Sequence, residues 1–278
     1  MTGTSSDDFD PAAVPISHAA TVMLLDDRPD LHVLMVHRTA KVVFAPDMWV
    51  FPGGRVDPDD HLEDFDTLCR GLSDQQASAF MEIERGGLAW WIAAARETLE
   101  EAGLLLAAKQ TDAATIAEIR KLVLQNENLF ADVLLQRGIT LDVTPIEEVA
   151  RFITPLGPPR RFDARFFVAR APADQVPSHD EGEIVNCKWV RPQDALDQWA
   201  DGAMVMMSPT VRMVACLARY QSADDVLAVA KKRLPYKRVR VDDPDGEYRV
   251  VLPGEAGYED ADLEIESGWV RLWEENQA

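Results

Sequence analysis

The sequence predicts an α/β protein with a mixed sheet, and three observations predict it. Apolar segments of two periods follow one another along the chain. Strand-like ones occupy 16–25, 31–37 and 163–170, and helix-like ones occupy 89–102 and 111–137. The stretch Ala89-Trp90-Trp91-Ile92-Ala93-Ala94-Ala95 opens a helix whose small side chains permit close packing against a sheet. With 278 residues, 47% of them apolar, the chain has material for one large domain, or one domain with an extension.

In chain order, residues 1–13 read as a disordered, polar lead-in, unlike a signal or transit peptide. Ile16–Leu25 is apolar and partly β-branched, as a central strand should be. Asp26-Asp27-Arg28-Pro29-Asp30 is a turn, and Leu31–His37 alternates as a second strand. His32 and His37 have no histidine partner at metal-ligand spacing and read as strand-edge residues. Lys41–Met48 is a loop and Trp49–Phe51 a short strand. Pro52-Gly53-Gly54 then turns the backbone and allows it a close approach that a Cβ would obstruct. From about His61 to Gly87, two short amphipathic helices are expected, at Leu62–Gly71 and Ser73–Glu84, the second opened by Ser73-Asp74-Gln75-Gln76.

Past the central helix, Leu104–Ala108 reads as extended. Helical periodicity follows over 111–137, in Ile116, Ile119, Leu122, Val123, Leu129, Val133 and Leu134. Strands are expected at Val149–Thr154, Asp163–Arg170 and Ile184–Val190, and helices at Pro192–Trp199, from Ser208 to about Tyr220, and at Asp224–Arg233. The basic cluster Lys231–Arg240 reads as a helix cap plus strand edge. Tyr236–Val241 and Glu247–Leu252 flank the turn Asp243-Pro244-Asp245-Gly246, and Gly268–Trp273 adds a last strand.

The chemistry concentrates in Arg96-Glu97-Thr98-Leu99-Glu100-Glu101-Ala102-Gly103-Leu104. At about 100° per residue, Glu97, Glu100 and Glu101 share one helical face, and Trp91, Ala95, Thr98, Leu99 and Ala102 form the opposite one. Gly103 is the natural αL stop. Three acids at this spacing repel one another, and near a helix C-terminus they also oppose the macrodipole. A divalent cation is the simplest reason to accept both penalties, because Mg²⁺ takes hard oxygen ligands. A solvated acidic face is the alternative.

The Gly-Gly turn after an apolar strand, followed by Arg-Glu-x-x-Glu-Glu-x-Gly-aliphatic, resembles the Nudix box, G-x5-E-x7-R-E-U-x-E-E-x-G-U with U a bulky aliphatic. Gly54 fits the first glycine, and Arg96, Glu97, Glu100, Glu101, Gly103 and Leu104 fit the second half. There are three departures. Asp60 stands where the first glutamate is usual, or that acid is not held at all. Thr98 replaces an aliphatic. Also, 35 residues separate Asp60 from Arg96 where the pattern allows seven. The long-insert branch of the family, resembling the peroxisomal coenzyme A diphosphatases, interrupts the box at this point.

The resemblance implies a Nudix α/β/α sandwich over residues 14–234, with an insertion at about 61–87 and a helix-plus-hairpin extension, 235–278, packed on the same domain. It implies Mg²⁺ or Mn²⁺ held by Glu97, Glu100 and Glu101, with Glu97 as ligand or general base and Arg96 orienting a box glutamate. One further carboxylate is expected from Glu183, with Glu181 second. Arg38 would face the substrate or stand solvated after its strand, and Arg55 is either a phosphate contact or solvated. The run Arg160-Arg161-Phe162-Asp163-Ala164-Arg165-Phe166-Phe167 is familiar in this branch, so Arg160, Arg161 and Arg165 would face a diphosphate. The other reading makes them surface arginines, with Arg165 on an exposed strand face. The insertion would cover the site or meet a dimer partner, and a homodimer is a family-level expectation. The implied reaction is hydrolysis of a nucleoside diphosphate linked to another moiety, coenzyme A or an acyl-CoA favoured. ADP-ribose, dinucleotides and nucleotide sugars remain open, as does a sensor that binds without cleaving.

Net charge is −20, from 48 acids against 28 bases, which argues against a general nucleic-acid binder or an anionic-membrane binder. Cys69, Cys187 and Cys216 are far apart, odd in number and without a CxxC, so reduced thiols in a cytoplasmic setting are expected. No apolar run has membrane-span length.

Overall fold

A computed structural model describes residues 10–42, 44–125, 130–179, 182–242, 249–261 and 268–273. Its centre is the strand β1 (Ile16–Asp27), which pairs in parallel with β8 (Arg161–Arg170) over ten residues, from Ile16↔Arg161 to Leu25↔Arg170. All other pairings of the large sheet are antiparallel, so the sheet is mixed. β2 (Leu31–Arg38) and the short β4 (Gly53–Arg55) pair with β1, and β3 (Trp49–Val50) and β9 (Ile184–Val190) pair with β2. On the other side β8 pairs with β7 (Glu147–Ile153). The sheet then continues into β12 (Gly268–Val270), β10 (Lys237–Asp242) and β11 (Arg249–Val251), so the C-terminal strands extend the same sheet. The expected hairpin turn at 243–246 lies outside the described residues.

Alternation along β1 sorts its side chains between two cores. Ala20, Val22 and Leu24 face the box helix α3 (Leu88–Ala102), together with Phe167 and Ala169 of β8. Met23 and Leu25 face the opposite layer, built from α7 (Ser208–Leu217), α8 (Ala223–Ala230) and the C-terminal strands. Both faces are therefore covered, giving three layers, helix, sheet and helix. The helix α6 (Pro192–Ala200) packs against α7 and β2. The three cysteines are free thiols. Among the described residues no helix is long and apolar enough to cross a membrane.

The insertion differs in part from expectation. The helix expected over Leu62–Gly71 is only the turn α1 (Phe65–Leu68). The chain then straightens into β5 (Cys69–Arg70), because β6 (Leu141–Asp142) offers a parallel partner and Asp142 an ion pair to Arg70. α2 (Asp74–Met81) begins at the expected serine, with Ser73 and Gln76 in a reciprocal capping box. The first residues of α3 have no capping side chain of their own, because Gly87 stands at the cap. α2 supplies the caps instead. The Asp74 carboxylate accepts from the Gly86 and Leu88 amides at 2.9 and 3.0 Å, and Ser78 Oγ accepts from Gly87 at 2.9 Å. A carboxylate here also meets the positive end of the α3 dipole. The Asp74→Ala variant is expected to lose about 1–2 kcal/mol of stability, read as a lowered denaturation midpoint with an unchanged m-value.

Past α3, the 104–108 stretch forms no strand and meets β6 through the isolated bridge Ala107↔Leu141. α4 (Ala113–Gln125) and α5 (Phe130–Arg137) complete the layer above α3, and Leu129 falls between them, outside the described residues. α4 buries Ile116, Ile119, Arg120 and Val123, a single stripe at helical spacing with an arginine inside it.

Candidate active site

α3 lies with its last two turns against the Gly53-Gly54 strand. Its sheet-facing residues Ala95, Thr98, Leu99 and Ala102 are fully buried. Thr98, where an aliphatic is usual, keeps its hydroxyl satisfied by donating to the Ala94 carbonyl at 2.7 Å. Gly103 ends the helix at φ 65°, as its position in the sequence predicts.

Arg96 is the hub. It is 3% exposed, and its guanidinium is surrounded by acceptors. Nε and Nη2 donate to the two oxygens of Asp60, both at 3.0 Å, a bidentate pair between two buried side chains. Nη1 donates to Glu97 at 2.9 Å and to Glu100 at 3.2 Å, and Nη2 also donates to the Arg55 carbonyl at 2.9 Å. Asp57 stands 3.4 Å from Nη2. Burial alone would lower the pKa of Arg96, but the Asp60 hydrogen bonds and the charges of Glu97, Asp60 and Glu100 more than offset it, so the group stays protonated. Asp60 therefore holds Arg96 from one side while Glu97 and Glu100 hold it from the other. Burial raises the Asp60 carboxyl, and the Arg96 bonds pull it back.

The second half of the site forms around Glu101. Its carboxylate accepts from the Gly53 amide at 3.0 Å and from Arg38 Nη1 at 3.0 Å. Arg38 Nη2 reaches Glu183 at 2.9 Å, and the Glu183 carbonyl accepts from the Thr39 amide. Arg38, expected to face the substrate, thus bridges two carboxylates. Glu183 is 66% exposed, at the rim. Glu181, the second choice for that carboxylate, lies outside the described residues. Burial pushes Glu101 up to about 7, opposed by Arg38 and the Gly53 amide. Burial also raises Glu97 well above its ordinary value, with Arg96 acting against it and Glu101 and Glu100 adding to it. Gly54 faces this group directly, since a Cβ there would fall on the Glu97 carboxylate.

The other arginines separate. Arg55 is exposed on β4, with its backbone carbonyl on Arg96. Arg160 is exposed in the loop before β8, and Arg161 is half-buried, donating from Nε to the Thr154 carbonyl at 3.1 Å. Arg165 answers neither expectation. It is only 7% exposed, and Nη1 reaches the fully buried Glu148 at 3.4 Å. Glu148 also takes the Tyr236 hydroxyl and lies 3.4 Å from Arg271, so Arg165 belongs to a buried junction between β7, β8 and the C-terminal segment.

Glu97, Glu100 and Glu101 offer hard oxygen donors on one surface, and the raised carboxyls of Glu97 and Glu101 are ones that an added positive charge would return to the anion. That donor chemistry fits Mg²⁺ or Mn²⁺. As placed, these oxygens are taken up by guanidinium and amide donors, and among the described residues no three metal-ligating side chains gather around one point.

Sequence reasoning did not single out Arg120 or the amide of Gly53. The signal for Arg120 was its place in the α4 apolar stripe; for the Gly53 amide there was none in composition.

Residues 12–217 match the family model described as the NUDT19 Nudix domain. The acyl-coenzyme A diphosphatase NUDT19 of Xenopus laevis is 26% identical over 209 residues, covering 61% of this chain and 55% of that protein. Its Gallus gallus counterpart is 24% identical over 243 residues, covering 71% and 64%. The chain thus spans 55% and 64% of the lengths of these two relatives. The crystal structure of a NUDIX hydrolase from Alicyclobacillus acidocaldarius superposes with a TM-score of 0.66 at 25% identity, covering 78% of this chain and 97% of that one. With most of the chain inside the family match, and the box residues packed around Arg96 beside the Gly-Gly turn, the protein belongs to the Nudix family, in the group of the NUDT19 Nudix domain.

Proposed function

We propose that this chain hydrolyses the diphosphate linkage of a nucleoside diphosphate joined to another moiety, releasing a nucleotide and a phosphorylated product. Coenzyme A or an acyl-CoA is the favoured substrate. The observation that carries the proposal is the shared surface of Glu97, Glu100 and Glu101 beside Gly54, held by Arg96 and Arg38. Two relatives bearing the name acyl-coenzyme A diphosphatase support the choice of substrate.

Glu97, Glu100 and Glu101 would hold Mg²⁺ or Mn²⁺. When bound, such an ion supplies screening of the diphosphate charge and a water of lowered pKa. Glu97 acts as a ligand or as the general base that takes the proton of the attacking water. Arg96 fixes the rotamers of Glu97 and Glu100 from behind and does not touch substrate. Arg38 fixes Glu101 and Glu183, and Glu183 contributes the further carboxylate at the rim. Arg55, Arg160 and Arg161 bring positive charge toward the substrate in a protein of net charge −20. We also read 235–278 as an extension of the same domain, and the place of β12 between β7 and β10 supports that reading.

The test is a panel of coenzyme A, an acyl-CoA, ADP-ribose, a dinucleotide and a nucleotide sugar with Mg²⁺ or Mn²⁺, scored for nucleotide release. Turnover of coenzyme A or its ester above the others supports the proposal. Preference for another member redirects the substrate, and tight binding without any turnover favours a sensor. Within this reading Gly54→Ala is expected to lower kcat about 10²-fold by displacing the Glu97 carboxylate, with the melting temperature nearly unchanged.

A further inference from the structure

The box helix ends on three carboxylates at the negative pole of its dipole, and a second buried guanidinium, besides Arg96, bonds its backbone there. Arg120 of α4 is 9% exposed and donates twice to the Glu100 carbonyl, from Nε at 3.0 Å and Nη2 at 2.7 Å. Its remaining Nη1 donates to Ser178 Oγ at 3.1 Å. The Ser178 amide in turn donates to the Ala102 carbonyl at 2.9 Å, and Ser178 packs on Gly103 where a Cβ would stand. Three residues earlier, Gln175 makes two bonds to the Leu105 backbone, at 2.8 and 3.0 Å. Gln175 and Ser178 are therefore fastened along the exit of α3, and Glu183, five residues after Ser178, is bonded to Arg38.

We propose that Arg120 is a positioning residue for the reaction. It caps the box helix and clamps the Ser178 segment, so that Glu183 stands beside Glu101. It touches neither substrate nor cation, and it acts through Glu183 and the Glu100 carbonyl. Two independent observations meet here. A guanidinium sits inside an otherwise apolar helical stripe, where only a specific acceptor justifies its burial. Its two ends bond two chain segments that each carry a site carboxylate. This inference rests on the hydrolase reading above for its kinetic arm only.

The experiment compares Arg120→Met, Arg120→Lys and Ser178→Ala with wild type, each alone and with Glu183→Gln. Kinetics are read on the best substrate of the panel, and backbone hydrogen exchange is read on the full chain. The Ser178 amide, bonded to Ala102, and the Thr39 amide, bonded to Glu183, report the clamp without any turnover. The expected result is a roughly tenfold or greater faster exchange at both amides in Arg120→Met, with Ser178→Ala intermediate. The kinetic expectation is a fall in kcat of at least about tenfold with KM within about twofold, partly restored in Arg120→Lys. In the Glu183→Gln background the same change should cost clearly less than in wild type, because one of the two residues it serves is already gone and only the route through the Glu100 carbonyl remains. Equal losses in both backgrounds would overturn the proposal, as would unchanged exchange at Ser178 and Thr39. Should wild type cleave nothing in the panel, the hydrolase reading falls, and the exchange arm alone still decides whether Arg120 holds the segment.

Discussion

Glu101→Gln is expected to lower kcat by on the order of 10²–10³ while leaving the melting curve close to wild type. The substitution is nearly isosteric. Its amide oxygen still accepts from the Gly53 amide, so the backbone around the Gly-Gly turn keeps its anchor. What disappears is the negative charge. Arg38 loses one of its two carboxylate partners, and the proposed cation loses one of three anionic ligands. Loss of one charged ligand is worth several kcal/mol of transition-state stabilisation. Steady-state kinetics with saturating Mg²⁺, beside thermal denaturation, measures both halves. Wild-type turnover in Glu101→Gln would remove the carboxylate cluster from the mechanism.

Arg96→Met should do something different: it should damage the fold and the chemistry together. Removing this guanidinium leaves Asp60 buried at 3% exposure without its bidentate partner, and frees Glu97 and Glu100 beside each other. Breaking one partner out of a buried ion pair costs about 3–5 kcal/mol, because the orphaned charge remains. Linkage gives a second signature. The Asp60 and Glu97 carboxyls, already raised by burial, rise further without Arg96. A carboxyl whose folded pKa is raised binds protons in the folded state, so the variant's deficit should be largest at neutral pH and shrink on acidification. The double variant Asp60→Leu with Arg96→Met removes both charges and should recover much of the stability but none of the activity. Urea denaturation at pH 5 and pH 7.5 tests this pattern, and a deficit that grows at the lower pH contradicts it.

How much of this was legible in the sequence varies with the range of the interaction. The acidic face, the buried face and the Gly103 stop are local; helical periodicity gives the two faces, and glycine's access to αL gives the stop. The two strands at the centre are each legible from their apolar pattern, but their parallel pairing joins segments far apart in the chain and shows only in the structure. Whether Asp60 stands in for the first box acid stays open in the sequence, and its bidentate contact with Arg96 is visible only in the fold. Arg165 was misjudged because alternation says which residues share a face and not what stands across from them. Its partner is Glu148 on the adjacent strand. The helix expected over 62–71 ends early for the same reason, since the pairing partner of Cys69 is Leu141. Arg120 shows the limit most directly. Its place among Ile116, Ile119 and Val123 was visible, but its acceptor is a backbone carbonyl, and carbonyls leave no mark in composition.

His61 and Gly86 face one another across the mouth of the insertion, close enough that a Cβ on the glycine would meet the imidazole at 2.9 Å. The excursion from the box thus departs and returns at nearly the same place. A detour of that shape adds only the slowly growing entropy of closing a longer loop. Its length and content are accordingly free to change without disturbing the register between the glycine turn and the box helix, provided something still stands over the helix's first amides.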